Sequence, residues 1–450
     1  IVYNPGALAR LKGTHILLSG NVIWESVSFQ RLIYDAKNDT FSDKYPNKPT
    51  VRMPEMQNSA PGFLSPIVGL STDLGLDVLD RINLKLLAGV YGPHTNNTRQ
   101  FPRYCVEGQS PCQASDADNG ISSPTRYDTN YINMLVVFPS IGLAWEPLPG
   151  LRIGGVFQAT YSKVKFETVV TGTQLKLATP EDTLLDLDLV IETEDVFTPT
   201  GIIGAHWSPL SFLELGASVR IGFPLDSEGT VSVDSKMGVH TQVTPNPAAI
   251  TIHWRMPWVV RTGVRYIARD EQSRERFDLE LDFVWESTGE MDEFVIGTDA
   301  EYAGQPFDKL NQEHAWKDTW SLRLGGSYQI WDLIPNGVLR FNLGGFYESE
   351  AMPEEYTRLD FPALSRWGLG GGVTAGWRWI NLTVGYMHVW HDERSVKGSK
   401  TPQMAPLNPE AATTITDGNL SVSIDMLLVS LGFAFGGGEA PGQPTCTFCN

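Results

Sequence analysis

Polar and apolar side chains alternate with a period of two along most of this chain. In RFDLELDFVWE, Phe277, Leu279, Leu281, Phe283 and Trp285 share one parity, and Arg276, Asp278, Glu280, Asp282 and Glu286 share the other. That period is the signature of a β-strand with two unlike faces. WSLRLGGSYQI sets Trp320, Leu322, Leu324, Tyr328 and Ile330 against Ser321, Arg323, Ser327 and Gln329. FLELGASVRIGF sets Leu213, Leu215, Ala217, Val219, Ile221 and Phe223 against Glu214, Ser218 and Arg220. From 250 to 266 the even positions, including Ile252, Trp254, Met256, Trp258, Val260, Val264 and Tyr266, are apolar, and the odd ones include His253, Arg255, Arg261 and Arg265.

Applied to the whole chain, the pattern predicts about fourteen strands, near 14–30, 62–75, 82–92, 131–147, 150–170, 184–207, 212–235, 249–268, 275–288, 316–331, 337–349, 366–380, 380–394 and 419–435. Short turns such as SPLS (208–211) and WDLIPN (331–336) alternate with long polar loops near 31–61, 93–130, 236–248, 289–315, 350–365 and 395–418. An even strand number with short turns on one rim and long loops on the other is the layout of an outer-membrane barrel. In hydrocarbon every backbone polar group must be paired, so a sheet there closes on itself. The fold class expected is all-β, a transmembrane antiparallel barrel whose aromatic and aliphatic rows face lipid and whose charged rows face a wet lumen. Trp285, Trp367, Trp377, Trp379 and Trp390 fall near strand ends, where an interfacial girdle belongs.

Composition narrows this further. Of the 450 residues 42% are hydrophobic, yet no apolar run approaches the length of a membrane helix, so a membrane protein with this sequence crosses by strands. The net charge of -18 argues against a nucleic-acid partner. The chain opens at Ile1 without a leader and is expected to be processed or truncated. The division expected is 1–13 as the end of an N-terminal plug, 14–435 as the barrel and 436–450 as a flexible tail.

On these parities Arg255, Arg261 and Arg265 face the lumen opposite Asp278, Glu280, Asp282 and Glu286, either as a bracing ion-pair lattice or as ligand contacts. Pro257 cannot donate to a ladder and implies a bulge or kink. Lys317 shares parity with Thr319, Ser321 and Arg323 and is expected to point inward near the long-loop rim, toward a ligand carboxylate or a neighbouring acid. Cys105 and Cys112, in a polar loop, are candidates for a disulfide in an oxidising compartment; Cys446 and Cys449 form a CxxC near the C-terminus, read as a small disulfide loop or an inert tail. His388 and His391 differ in parity and cannot jointly chelate a metal. HExxH, GxSxG and P-loop signatures are missing, so neither an enzyme nor a metal or other cofactor is expected, although a rim hydrolase with dispersed catalytic residues stays formally open.

Several stretches together resemble the FadL/TodX family of outer-membrane transporters for long-chain fatty acids and other hydrophobic molecules. YNPGALARLKGTHILLSG is similar to the family's NPA segment, RMPWVVRTGVRY to its Leu-Pro strand and HAWKDTWSLRLGGSY to its aromatic-Lys-Asp segment. The resemblance implies a fourteen-stranded barrel closed by an N-terminal hatch, here Asn4-Pro5-Gly6 in place of NPA, with most of the hatch upstream of Ile1. It implies loop capture of a hydrophobic or fatty-acid ligand, a lumenal pocket, and a lateral exit beside a kinked third strand, for which Gly89, Gly92 and Pro93 could supply the break. Lys317 falls on the family's carboxylate-binding lysine, and its partner arginine falls on Thr168. Ligand contacts are therefore expected at Lys317, Arg323, Arg261, Arg265 and Thr168. Phe435 is followed by a Gly/Pro-rich tail, where the family's last strand ends the chain. The protein is expected to be a monomer in the outer membrane of a Gram-negative bacterium, in contact with membrane lipid and lipopolysaccharide. A general polar-solute porin is the alternative.

Overall fold

The computed structural model describes residues 3–34, 50–93, 97–117, 119–172, 183, 186–235, 239–307, 310–333, 335–405 and 414–436. Fourteen antiparallel strands close into one barrel: β1 (Thr14–Tyr34), β2 (Phe63–Thr72), β3 (Leu84–Tyr91), β4 (Tyr131–Leu148), β5 (Leu151–Thr171), β6 (Asp186–Leu210), β7 (Leu213–Arg220 and Phe223–Asp234), β8 (Ala248–Met256 and Val259–Arg269), β9 (Glu275–Glu286), β10 (Thr319–Trp331), β11 (Gly337–Glu348), β12 (Arg366–Trp377), β13 (Ile380–His391) and β14 (Gly418–Phe435). Each strand pairs with the next, and β14 closes on β1 from Thr14↔Phe435 to Arg31↔Gly418.

The outward row of β9 is exposed as alternation requires, Phe277, Leu279, Leu281 and Phe283 each between 40% and 47%, while Asp278 and Glu286 turn inward and are buried. Two aromatic belts bound this apolar surface. One contains Trp258, Trp320, Tyr347 and Trp367, with Trp367 stacked on Trp390 at 4.0 Å; the other contains Trp145, Trp207, Tyr266, Trp377, Trp379 and Phe435. From Trp367 to Trp377 the strand rises roughly 33 Å, or about 25 Å along the barrel axis at a typical tilt, which matches a bilayer's apolar band. Among the described residues no helix is long and apolar enough to cross a membrane.

The structure corrects the expected phase of two strands. β7 and β8 are each broken, at Ile221–Gly222 and at Pro257–Trp258, and alternation shifts by one residue across each break. Phe223, Trp254 and Met256, expected on the lipid face, are buried inside, and Ile252 packs against the same core. Arg255, expected in the lumen, is outside and exposed, paired with Glu290 at 3.1 Å. The reason is geometric: an irregular step in a strand exchanges its faces from that point on. β6 makes the same exchange between Asp195, which is buried, and Thr200.

Beyond these breaks the wall is built for water. Leu187, Leu189, Ile191, Leu225, Val231, Val233 and Ile250 point inward and pack together, whereas Glu192, Glu194, Asp226 and Glu228 point outward. Apolar inside and charged outside is the arrangement of a soluble β-wall, so the long-loop end of β6–β8 rises clear of the hydrocarbon. Cys105 and Cys112 are joined in a disulfide within the loop following β3. Cys446, Cys449 and residues 437–450 of the expected tail lie outside the described residues.

A candidate transport path through the barrel

The N-terminal segment enters the lumen and binds its wall. Pro5 opens a 3-10 helix, Pro5–Arg10, and Asn4 caps it by accepting the Gly6 N–H at 3.1 Å. The same side chain donates to the carbonyls of Ala205 (2.8 Å) and Ala217 (3.3 Å), residues facing each other on β6 and β7. Glycines make this approach possible. A Cβ on Gly204 would lie 2.4 Å from Asn4 Oδ1, and one on Gly154 2.6 Å from the Gly6 nitrogen. A Cβ on Gly6 would meet the Gly204 carbonyl at 2.8 Å, which accounts for glycine where the NPA motif has alanine.

Charges fix the rest of the segment. Arg10 pairs with Glu214 (3.3 Å), and the Gly13 N–H donates to Asp73 (2.9 Å), itself paired with Lys85 at 2.6 Å. The Lys85 hydrogen bond, against the cost of burial and helped by the N–H groups of Gly75 and Gly13, pushes the Asp73 carboxyl down to about 2. Alongside lies a cavity of about 380 Å³ lined by Tyr3, Arg10, Glu214, Arg265, Asp278, Glu280, Asp282, Arg323 and Arg340 on its charged side and by Ile67, Leu343, Phe346 and Met387 on its apolar side.

The predicted ligand residues fare differently. Arg265 is committed to an ion lattice with Asp278 (2.6 Å), Glu214 (3.0 Å) and Glu275 (3.0 Å). Arg261 and Arg323 line the lumen; Arg261 lies over the Tyr3 ring at 5.3 Å and Arg323 over Phe346 at 5.9 Å. Thr168 is buried, but its hydroxyl donates to the backbone carbonyls of Arg126 (3.2 Å) and Asp128 (3.3 Å). Lys317 lies just before the first residue of β10, Thr319, is exposed, and does not line the charged cavity. Its neighbour Trp316 is buried instead, because strand alternation does not extend into an irregular segment where Ala315 has positive φ.

Above the charged cavity sits a smaller apolar one of about 50 Å³, under the outer loops and lined by Phe166, Ile191, Trp254, Phe294, Ile296 and Phe361. It was missed in the sequence because Trp254 and Ile252 carry the exchanged phase. Over it lies a buried polar seal: His314 bonds Asp360 (2.9 Å), and Arg358 contacts Asp360 (3.3 Å) and Asp128 (3.1 Å). Burial pushes the Asp128 carboxyl up despite Arg358. Burial also opposes ionisation of Asp360, but the His314 and Arg358 charges outweigh it and hold that carboxyl below its usual range.

Among the described residues the wall is incomplete. Pairing of β2 with β3 ends at Val68↔Val90, and the chain leaves the ladder after Tyr91 at Gly92–Pro93. The segment Asn97–Gln100 pairs with β4, and β2 from Phe63 to Ile67 pairs with β1. Among the described residues no ladder joins these two edges, and the opening is bridged above by Ser59 N–H donating to the Gln100 carbonyl at 2.8 Å. Gly89 is not at the break: it is paired on both sides, with Gly69 and Ser140.

The family model for outer membrane protein transport proteins (OMPP1/FadL/TodX) matches residues 1–423. No curated protein is matched by sequence. Among solved structures, a Pseudomonas aeruginosa FadL homologue superposes with a TM-score of 0.73 at 12% identity, covering 96% of this chain and 93% of the other. The Pseudomonas putida toluene transporter TodX gives 0.62 at 13%, covering 96% and 92%, and the Ralstonia pickettii toluene transporter TbuX gives 0.60 at 12%, covering 96% and 92%. At these identities the structural likeness speaks for the fold, and the family match speaks for the kind of transport. With its closed fourteen-strand barrel, this chain therefore belongs to the FadL/TodX family of outer-membrane proteins that transport hydrophobic compounds in Gram-negative bacteria.

Proposed function

We propose that this protein takes up long-chain fatty acids or similar lipids passively, capturing them among the outer loops and releasing them sideways through the break between β2 and β3. The observation that carries this reading is that break, an unpaired edge from Phe63 to Ile67 facing Gly92–Pro93 at membrane depth. Unpaired backbone is costly in hydrocarbon, so an opening there calls for a function. The apolar chamber beneath the outer loops gives an aliphatic ligand burial worth about 25 cal/mol per Å². Descent to the lumen and exit into the bilayer core then need no energy source. Within this scheme Tyr3–Gly13 is the inner end of a hatch, and Arg261 and Arg323 are the lumenal ligand contacts. The solved toluene transporters make a monoaromatic compound the second candidate ligand.

Replacing Gly92 and Pro93 together by valine would let β3 continue its ladder along β2. Uptake of labelled oleate by cells bearing this variant is expected to fall severalfold, with ligand binding by the purified protein kept. Unchanged uptake would remove the lateral exit. The porin alternative predicts a large steady conductance in planar bilayers, whereas a lumen filled by the N-terminal segment conducts little.

A further inference from the structure

Arg220, the last residue of the inner half of β7, is 5% exposed and faces inward. Its Nε is buried without a hydrogen-bond partner, its Nη2 reaches only the Pro257 carbonyl at 3.5 Å, and its guanidinium lies 5.9 Å from the Phe138 ring. Arg261 is its diagonal neighbour across the ladder, since Ser218 pairs with Arg261 and Arg220 with Val259. Arg261 Nη1 is likewise buried and unpartnered among the described residues, and the two charges lie within electrostatic reach of each other.

Five other inward-facing arginines are matched by acids. Arg10, Arg99, Arg126, Arg265 and Arg358 each meet a carboxylate within 3.3 Å. Neither Arg220 nor Arg261 has such an ion pair among the described residues. The groups facing the pair are Tyr3, Tyr91, Arg323 and Glu286; of these only Glu286 is acidic, and it attracts Arg261 electrostatically. Two like charges held together with open donors are unfavourable unless an anion completes them. Forked donors on two arginines suit a carboxylate.

The surroundings fix what the carboxylate is attached to. Phe138 stands beside Arg220 and packs against Tyr91 (5.3 Å) and Phe223 (6.4 Å), part of an apolar cluster that extends to Trp254 beneath the outer loops. Tyr91 is also the last residue of β3 before the break in the wall. We propose that Arg220 and Arg261 form a carboxylate-binding site at which a long-chain acid pauses head-group first, its tail along Phe138 and Phe223, before reaching the opening beside Tyr91. This deepens the transport reading and rests on it, but assigns the head group to Arg220 and Arg261 rather than to Lys317 and Thr168.

The test is binding of oleate and of oleyl alcohol to the purified full-length protein in a non-ionic detergent, for the wild type, Arg220→Met, Arg261→Gln and, as a control, Lys317→Ala. Heat-modifiable electrophoretic mobility identifies folded barrels, and either arginine variant alone suffices. Each is expected to lose roughly tenfold to a hundredfold in oleate affinity, with alcohol affinity and the Lys317→Ala protein little changed. Equal losses for acid and alcohol, or undiminished oleate binding, would overturn the site while leaving lipid uptake standing. A wild type that binds neither ligand would overturn the lipid reading itself, and the site with it.

Discussion

The anchor of the N-terminal segment can be tested through one side chain. Asn4→Ala removes three hydrogen bonds at once: the cap to Gly6 and the donations to Ala205 and Ala217. At about 1 kcal/mol net for each, the segment loses about 3 kcal/mol of attachment. The barrel ladder is untouched, because both carbonyls belong to residues already paired in the β6–β7 sheet. A loss of that size multiplies the population of released segment by roughly 100. Trypsin cleavage at Arg10 and Lys12 reports release directly, since Arg10 is held against Glu214 in the lumen until the segment leaves. The expected result is a strong rise in cleavage rate with unchanged barrel mobility on gels, and planar-bilayer recordings should show more frequent openings. A cleavage rate within about threefold of wild type would refute the assignment of Asn4 as anchor.

Two further outcomes follow from the geometry. Asp73 is held at about 2, below its value in an unfolded chain, so its tie to Gly13 and Lys85 is fully present above about pH 4 and lost as pH falls toward 2. Protection of the Gly13 amide, its exchange rate taken against the intrinsic rate at each pH, should therefore fall on acidification through that window in the wild type, by an amount equivalent to about 2 kcal/mol, and in Asp73→Asn it should change little there. Leu281→Arg, on the lipid face of β9, should cost about 2–4 kcal/mol in urea unfolding from vesicles, whereas Thr230→Arg, outward on the far half of β7, should be nearly neutral. Equal costs at the two positions would contradict the emergence of β6–β8 from the membrane.

The barrel was legible because its signal is local. Strand alternation over Phe277–Trp285 needs only the preference of apolar groups for hydrocarbon, and closure follows from the absence of water to satisfy an edge. The site was legible only in part. Arg261, Arg265 and Arg323 face inward as their parity requires, yet which of them is free depends on acids from other strands, such as Glu214 and Glu275 around Arg265. Arg220 shares the parity of Glu214, but nothing local marks it as unmatched. The orientation of Lys317 is not legible from alternation, because the strand begins at Thr319 and the segment before it is irregular.

The sequence by itself determined the membrane-facing surface, the strand number and the approximate turns, since each is set by residues within one or two strands. Tertiary structure alone decided where the two faces of β6, β7 and β8 exchange, where pairing of β2 with β3 stops, and which arginines lack an acid. Pro257 announces a break in its own strand, but a single irregular residue reverses every side chain beyond it. The partners those side chains then meet come from chain segments far away in sequence.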